Sequence, residues 1–143
     1  MKNLFAISIS AFLLYSCTTI DSKENAELPT ADTREVVILN AGKKWKSDSA
    51  TRENVQRLQT LSTDFANHEM AEYKALSGSL QDGLNKMIKA CRMKGKEHEA
   101  LHQWLEPFAR SVKELNEAKE VSQARKIFGQ IQRDLEVYPQ YFE

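Results

Sequence analysis

Four side chains that can bind metal ions lie within the twelve residues from Cys91 to His102. Cys91 and Met93 carry sulfur, and His98 and His102 are four positions apart, so on a helix their rings lie over one face, about 6 Å apart at Cβ. Thiolate and thioether are soft ligands and imidazole is intermediate, so the set favours copper, especially Cu(I), with zinc second. The sequence predicts a metal site formed by Cys91, His98 and His102, with Met93 as a candidate fourth ligand.

Each of these residues also has an ordinary structural interpretation. A buried cysteine commonly behaves as a small hydrophobic residue, methionine fills irregular gaps in cores, and histidines near a helix start are often at the surface. The chain has two cysteines, Cys17 and Cys91. If Cys17 carries a lipid, Cys91 is an unpaired thiol in an exported protein, which calls for an explanation. The coincidence of the ligands in one hairpin favours metal binding.

The first residues have the order of a bacterial export signal. Lys2 is followed by an apolar run over residues 4–15, and Ser16 precedes Cys17. The run of about 12 residues is too short for a membrane-spanning helix, which needs about 20. Residues 14–17, Leu-Tyr-Ser-Cys, resemble the lipobox of bacterial lipoproteins, in which cleavage precedes the cysteine and its thiol receives a diacylglyceryl group. We predict a signal peptide at 1–16 and lipidation of Cys17; simple secretion is the alternative.

The segment 17–35 has the composition of a flexible tether. It is rich in Thr, Ser, Asp and Glu, it contains Pro29, and it has no apolar periodicity. Thr18 directly follows the predicted lipid-bearing cysteine. In bacterial lipoproteins an aspartate at that position often marks inner-membrane retention, so the resemblance implies a protein anchored at the periplasmic face of the outer membrane.

Residues 36–143 are predicted to form one all-α domain. Glycine and proline are scarce, with five and three residues, and 28% of the chain is charged, which is typical of exposed helices around an apolar seam. Apolar residues recur at spacings of three and four in four stretches joined by short links, which favours an up-down-up-down bundle with antiparallel neighbours. Pro107 predicts a kink in the third helix or its division into two. The stretches cover about residues 49–68, 70–92, 97–119 and 121–138.

In such a bundle the link between the second and third helices shares one end with the start of the first helix and the end of the fourth. Gly95 permits the sharp turn that brings Cys91 and the histidines together. Five aromatic residues are expected near this end, where they shield the metal or simply close the bundle: Trp45, Trp104, Tyr138, Tyr141 and Phe142.

The sequence argues against several classes of function. Twenty basic and twenty acidic residues cancel, so no nucleic-acid partner is implied. There is no CxxCH sequence for haem attachment, and no G-x-S-x-G or HExxH sequence for hydrolysis. We expect no haem and no enzymatic activity. The cluster of lysines at 43, 44 and 46 could contact anionic lipid or glycan, but runs of like charge are usually just solvated.

Three segments, residues 40–46, 91–104 and 138–142, resemble small helical lipoproteins of Gram-negative bacteria. This resemblance implies the class of protein and supplies no activity. The leading hypothesis is a lipid-anchored, non-enzymatic bundle that binds copper or zinc for sequestration or handover. The competing hypothesis is a module that docks a protein partner in the envelope, with Cys91 as a core residue. An accessory subunit of an enzyme acting on envelope polymers is a third class.

Overall fold

The computed structural model describes residues 37–66 and 69–143. The predicted signal peptide, Cys17 and the tether lie outside the described residues. The described residues contain four helices and no strand longer than an isolated bridge: α1 (Ser49–Thr63), α2 (Met70–Ala90), α3 (Gly95–Glu117) and α4 (Val121–Tyr141). None of these helices is long and apolar enough to cross a bilayer.

The four helices form an all-α bundle in which chain neighbours pack side by side. Helix α1 packs on α2, α2 on α3 and α3 on α4, and α4 also contacts α1, which closes the bundle. The links after α2 and α3 are only a few residues long, so neighbouring helices run antiparallel. The predicted four-helix bundle is confirmed.

The apolar stripes of the four helices face one another and form the core. Tyr73, Phe108 and Leu58 are the largest side chains that are removed from solvent almost completely. Burying one large apolar side chain contributes about 1.5–3 kcal/mol, so the summed stripes supply the main stabilisation of the fold. The buried stripe of α3 holds the helix start that carries the histidines against the core.

Helix α1 is shorter than the apolar spacing predicts. It ends at Thr63, where Asp64 is the C-cap and its N–H donates to the Thr60 carbonyl at 2.9 Å. Phe65 nevertheless reaches the core from non-helical backbone, because its ring lies 5.1 Å from Tyr73 and 5.0 Å from Phe128. The predicted helix extends to residue 68. That prediction is wrong for residues 64–66, which are not helical, and residues 67–68 lie outside the described residues.

Two prolines lie inside helices without dividing them. Helix α3 continues through Pro107, so it remains one element. Helix α4 continues through Pro139 to Tyr141, three residues beyond the predicted end. Because proline has no N–H, Pro139 cannot donate to the Leu135 carbonyl one turn earlier. The Gln59 side chain of α1 donates to that carbonyl instead, at 3.0 Å.

The segment before α1 is tied to the end of the chain. The backbone N–H of Trp45 donates to the Tyr141 carbonyl at 2.8 Å, and the Trp45 carbonyl accepts from the Glu143 N–H at 2.9 Å. Ser47 donates to the Glu143 carbonyl from its N–H at 2.9 Å and from its hydroxyl at 3.1 Å. These four hydrogen bonds fix the entry to α1 beside the end of α4.

Candidate metal site

The connection between α2 and α3 carries the predicted ligands. Cys91 is the C-cap of α2, and its N–H donates to the Met87 carbonyl at 2.9 Å. Four residues later α3 begins at Gly95, whose φ of +63° is a left-handed conformation that strains any residue with a Cβ. His98 lies in the first turn of α3 and His102 one turn further along. The tight turn therefore brings the thiol next to the His98 ring, and His102 lies on the other side of that ring.

Asp48 holds this connection in place from the other side of the bundle end. One carboxylate oxygen accepts from the backbone N–H of Thr51 at 2.7 Å and caps α1. The other accepts from the backbone N–H of Arg92 at 2.6 Å. Burial opposes ionisation of Asp48, but the hydrogen bonds from Thr51 and Arg92, with the charge of Arg52, outweigh it and hold the pKa of Asp48 below its ordinary value of 3.8. The residue after Cys91 is thus anchored to the start of α1.

Four polar side chains form a row that begins with Cys91 at the end of α2 and continues along α3. Cys91 Sγ lies 3.9 Å from His98 Nδ1, and the other ring nitrogen of His98, Nε2, lies 3.2 Å from His102 Nε2. His102 Nδ1 in turn lies 3.4 Å from Glu106 Oε1. The row becomes more exposed along its length, because the side chains of His102 and Glu106 are 48% and 70% exposed. We call these four residues the Cys–His–His–Glu row.

The row forms the polar wall of a cavity between α2 and α3. The cavity volume is about 260 Å³, and five aliphatic or thioether side chains line the rest of it. Ile88 stands at its rim and is 56% exposed. A soft metal ion at the wall would therefore be flanked by apolar side chains. The remaining lining residues are Met87, Ile88, Leu101, Leu105 and Ala109.

The spacing of Cys91 and His98 suits a shared metal ion. With bonds of about 2.3 Å to sulfur and about 2.05 Å to nitrogen, an ion between two atoms 3.9 Å apart would make an S–metal–N angle of about 127°. That angle is close to trigonal. His98 Nε2 would then donate its proton to His102 Nε2 while His102 Nδ1 donates to Glu106, an outer row of hydrogen bonds that fixes the ligating ring.

The two imidazoles offer a second way to bind one ion. With metal–nitrogen bonds of about 2.05 Å, nitrogens 3.2 Å apart would make an angle of about 103° at the ion, which is close to tetrahedral. A neutral imidazole has one free lone pair, so His98 can serve only one of the two arrangements at a time. The soft Cys91–His98 pair favours copper and the His98–His102 pair suits zinc.

The predicted ligands do not all meet at one point. The thiol and His102 contact opposite edges of the His98 ring, and over residues 37–66 and 69–143 no group of three or more Cys, His, Asp or Glu side chains is placed to hold one ion. Met93 is half-buried against the core and does not line the cavity. The structure thus brings Cys91, His98 and His102 into contact as a row and leaves Met93 apart from them.

The aromatic residues at this end pack with one another, away from the cavity. The Trp104 ring stacks on Phe108 at 5.2 Å and meets Tyr138 at 4.9 Å, and Tyr138 stacks on Phe142 at 4.8 Å. Trp104 also donates from its indole nitrogen to the Asp134 carbonyl at 2.7 Å. These rings close the bundle end and do not line the cavity.

Sequence reasoning missed three residues of the site. Glu106 follows His102 by four positions, the same spacing that identified the histidine pair, so the row could have been extended by it. Met87 precedes Cys91 by four positions and shares its helix face. Asp48 has the position of a helix N-cap, but its second contact, with Arg92, joins residues 44 positions apart and has no local signal.

Comparisons with protein-family profiles, with curated proteins and with solved structures find no match for this chain. The geometry of the site and the N-terminal sequence are therefore the observations that bear on function.

Proposed function

We propose that the protein is a lipid-anchored helical bundle of the bacterial cell envelope that binds a soft metal ion, Cu(I) ahead of Zn(II), for sequestration or handover. The observation that carries the proposal is the 3.9 Å separation of Cys91 Sγ and His98 Nδ1 at the wall of an apolar cavity. A thiol beside an imidazole supplies one soft and one intermediate ligand beside apolar side chains.

Supporting contacts fix the two ligands. Asp48 holds the backbone of Arg92, next to Cys91, and the contact with His102 orients the His98 ring. Mutation of the hydrogen-bond partner of a ligating histidine typically weakens metal affinity by about 10- to 100-fold. We therefore expect His102→Ala to bind the metal more weakly. Glu106 is largely exposed, so Glu106→Gln should weaken it less.

The metal proposal is tested on residues 18–143, which lack the predicted signal peptide and contain Cys91 as their single thiol. Wild type and a Cys91→Ser, His98→Ala double variant are purified reduced and titrated with Cu(I) and with Zn(II) against a competing chelator. Wild type alone should retain about one equivalent of metal. Equal binding by both proteins, or no binding by either, refutes the proposal.

The lipid anchor is tested separately in cells. The wild-type chain should incorporate labelled palmitate and sediment with membranes, because two or more acyl chains give stable anchoring. Cys17→Ser should do neither. Palmitate incorporation that survives this substitution would refute Cys17 as the attachment site.

A protein-interaction module remains the second candidate, and exposed apolar residues favour it. Ile38 is 73% and Leu39 is 37% exposed, although the neighbouring Val37 is buried, and exposed apolar residues of this kind can mark docking sites. The two candidates differ in one reaction. Adding Cu(I) or Zn(II) should slow alkylation of the Cys91 thiol only if the metal binds there.

A further inference from the structure

A methionine other than the one predicted from sequence lines the cavity. Met87 lies one helical turn before Cys91 on α2, is 1% exposed, and lines the same cavity as Cys91 and His98. Met93 follows Cys91 by two residues in the connection and does not line the cavity. The only cavity-lining thioether in the described residues around the row is therefore that of Met87.

The geometry of the Cys91–His98 pair leaves room for a third ligand. An angle of about 127° at the ion, obtained from the 3.9 Å separation and ordinary bond lengths, is near the value of a three-coordinate centre. Residues four apart on a helix have Cβ atoms about 5–6 Å apart, and methionine has three rotatable bonds with which to place its sulfur. Met87 can thus reach an ion held by Cys91 without movement of α2.

We infer that Met87 is the thioether ligand of a Cu(I) site completed by Cys91 and His98. The inference rests on the proposed function and adds a reason for metal selectivity. Thioethers bind Cu(I) well and are poor ligands for Zn(II), so Met87 contributes to the affinity for one metal and not the other. His102 and Glu106 remain outside the coordination sphere and orient His98.

The test compares Met87→Leu with Met93→Leu in residues 18–143. Both substitutions remove a thioether at nearly constant volume, and thermal unfolding monitors the fold of each variant. Cu(I) affinity, measured anaerobically against a chromogenic chelator, should fall by about tenfold or more in Met87→Leu, an effect of the size that groups around metal sites exert. Met93→Leu should bind Cu(I) as wild type does, and Zn(II) affinity should be unchanged in both.

X-ray absorption of the Cu(I)-loaded protein gives a direct readout that does not depend on the stability of a variant. Wild type should show two sulfur neighbours and one nitrogen neighbour per copper, and Met87→Leu should show one sulfur. A single sulfur in wild type overturns the inference.

The remaining outcomes separate this inference from the proposed function. A fall in Cu(I) affinity in Met93→Leu alone, or in neither variant, overturns the role of Met87 while the Cys91–His98 pair stands. If wild type itself binds copper no better than the Cys91→Ser, His98→Ala variant, the proposed function has failed, and the site with it.

Discussion

Asp48 joins the start of α1 to the residue after Cys91, so its replacement should weaken both the fold and the metal site. Two variants separate the two contacts. Asp48→Asn keeps an amide oxygen for the Thr51 N–H but turns an NH₂ group, a donor, toward the N–H of Arg92. Asp48→Ala removes both contacts.

The contacts set the magnitudes. Loss of a helix N-cap costs about 1 kcal/mol. A hydrogen bond to a charged group contributes about 1.5–3 kcal/mol. Because Asp48 is only half-buried, water competes for its carboxylate, and the bond to Arg92 should contribute about 1 kcal/mol. The free energy of unfolding should therefore fall by about 1 kcal/mol in Asp48→Asn and about 2 kcal/mol in Asp48→Ala. For a domain of about 100 residues these losses lower Tm by about 4 °C and about 8 °C.

The effect should depend on pH in a defined direction. The pKa of Asp48 is lowered in the folded protein from its ordinary value of 3.8. The carboxylate therefore contributes its full stabilisation above the unfolded pKa and loses it as pH falls through the folded one. The difference in stability between wild type and Asp48→Ala should stay constant from about pH 7 to about pH 5 and shrink below about pH 4.

Urea denaturation at several pH values measures the free energy of unfolding of each variant, and titration with Cu(I) against a competing chelator measures its metal affinity. Equal stability of Asp48→Asn and wild type at neutral pH, with no loss of Cu(I) affinity, would show that the Arg92 contact positions nothing. A stability difference that grows on acidification would contradict the direction of the pKa shift.

Three further predictions concern helix packing and the turn before α1, and urea denaturation checks each. Gly83→Ala should destabilise the protein by about 1–3 kcal/mol, because its Cβ would lie 2.6 Å from Cδ2 of the fully buried Leu58. Gly78→Ala on the same helix meets no atom within 4 Å and should stabilise by about 0.5–1 kcal/mol; equal effects of the two would refute the packing argument. Ala41→Asn should stabilise by about 0.5–1 kcal/mol, because a φ of +48° favours Asn over Ala; a destabilised variant would show that the turn is not strained. Gln59→Ala should cost about 1 kcal/mol by removing the donor to the carbonyl that the proline of α4 leaves unpaired, and no change in stability would show that water replaces it.

The sequence predicts the helices better than their ends. Apolar spacing reports which residues reach the core, and all four predicted helices are present. It misplaces the end of α1, because Phe65 enters the core from non-helical backbone and so satisfies the same spacing. It also ends α4 too early, because the donor that compensates for Pro139 comes from Gln59 on another helix, and no local pattern reports it.

The site shows the same division between local and long-range information. The spacing of the two histidines and the turn at Gly95 predict that Cys91, His98 and His102 lie near one another, and the structure places His98 between the other two. Which edge of each ring faces which partner depends on side-chain torsions fixed by packing between α2 and α3. For that reason the spacing suggested ligands converging on one point, whereas the structure has a row of side chains with Met87 beside its first member.

The hydrogen bonds between residues 45–47 and residues 141–143 have a consequence for biosynthesis. Their partners lie 96 or 98 positions apart, and residues 141–143 are added after the whole of α3 and most of α4. Residues 45–47, which lead into α1, therefore cannot form these hydrogen bonds until residues 141–143 have been translated. Under the export predicted from the N-terminal sequence, this order of synthesis would delay closure of the domain until the chain is complete.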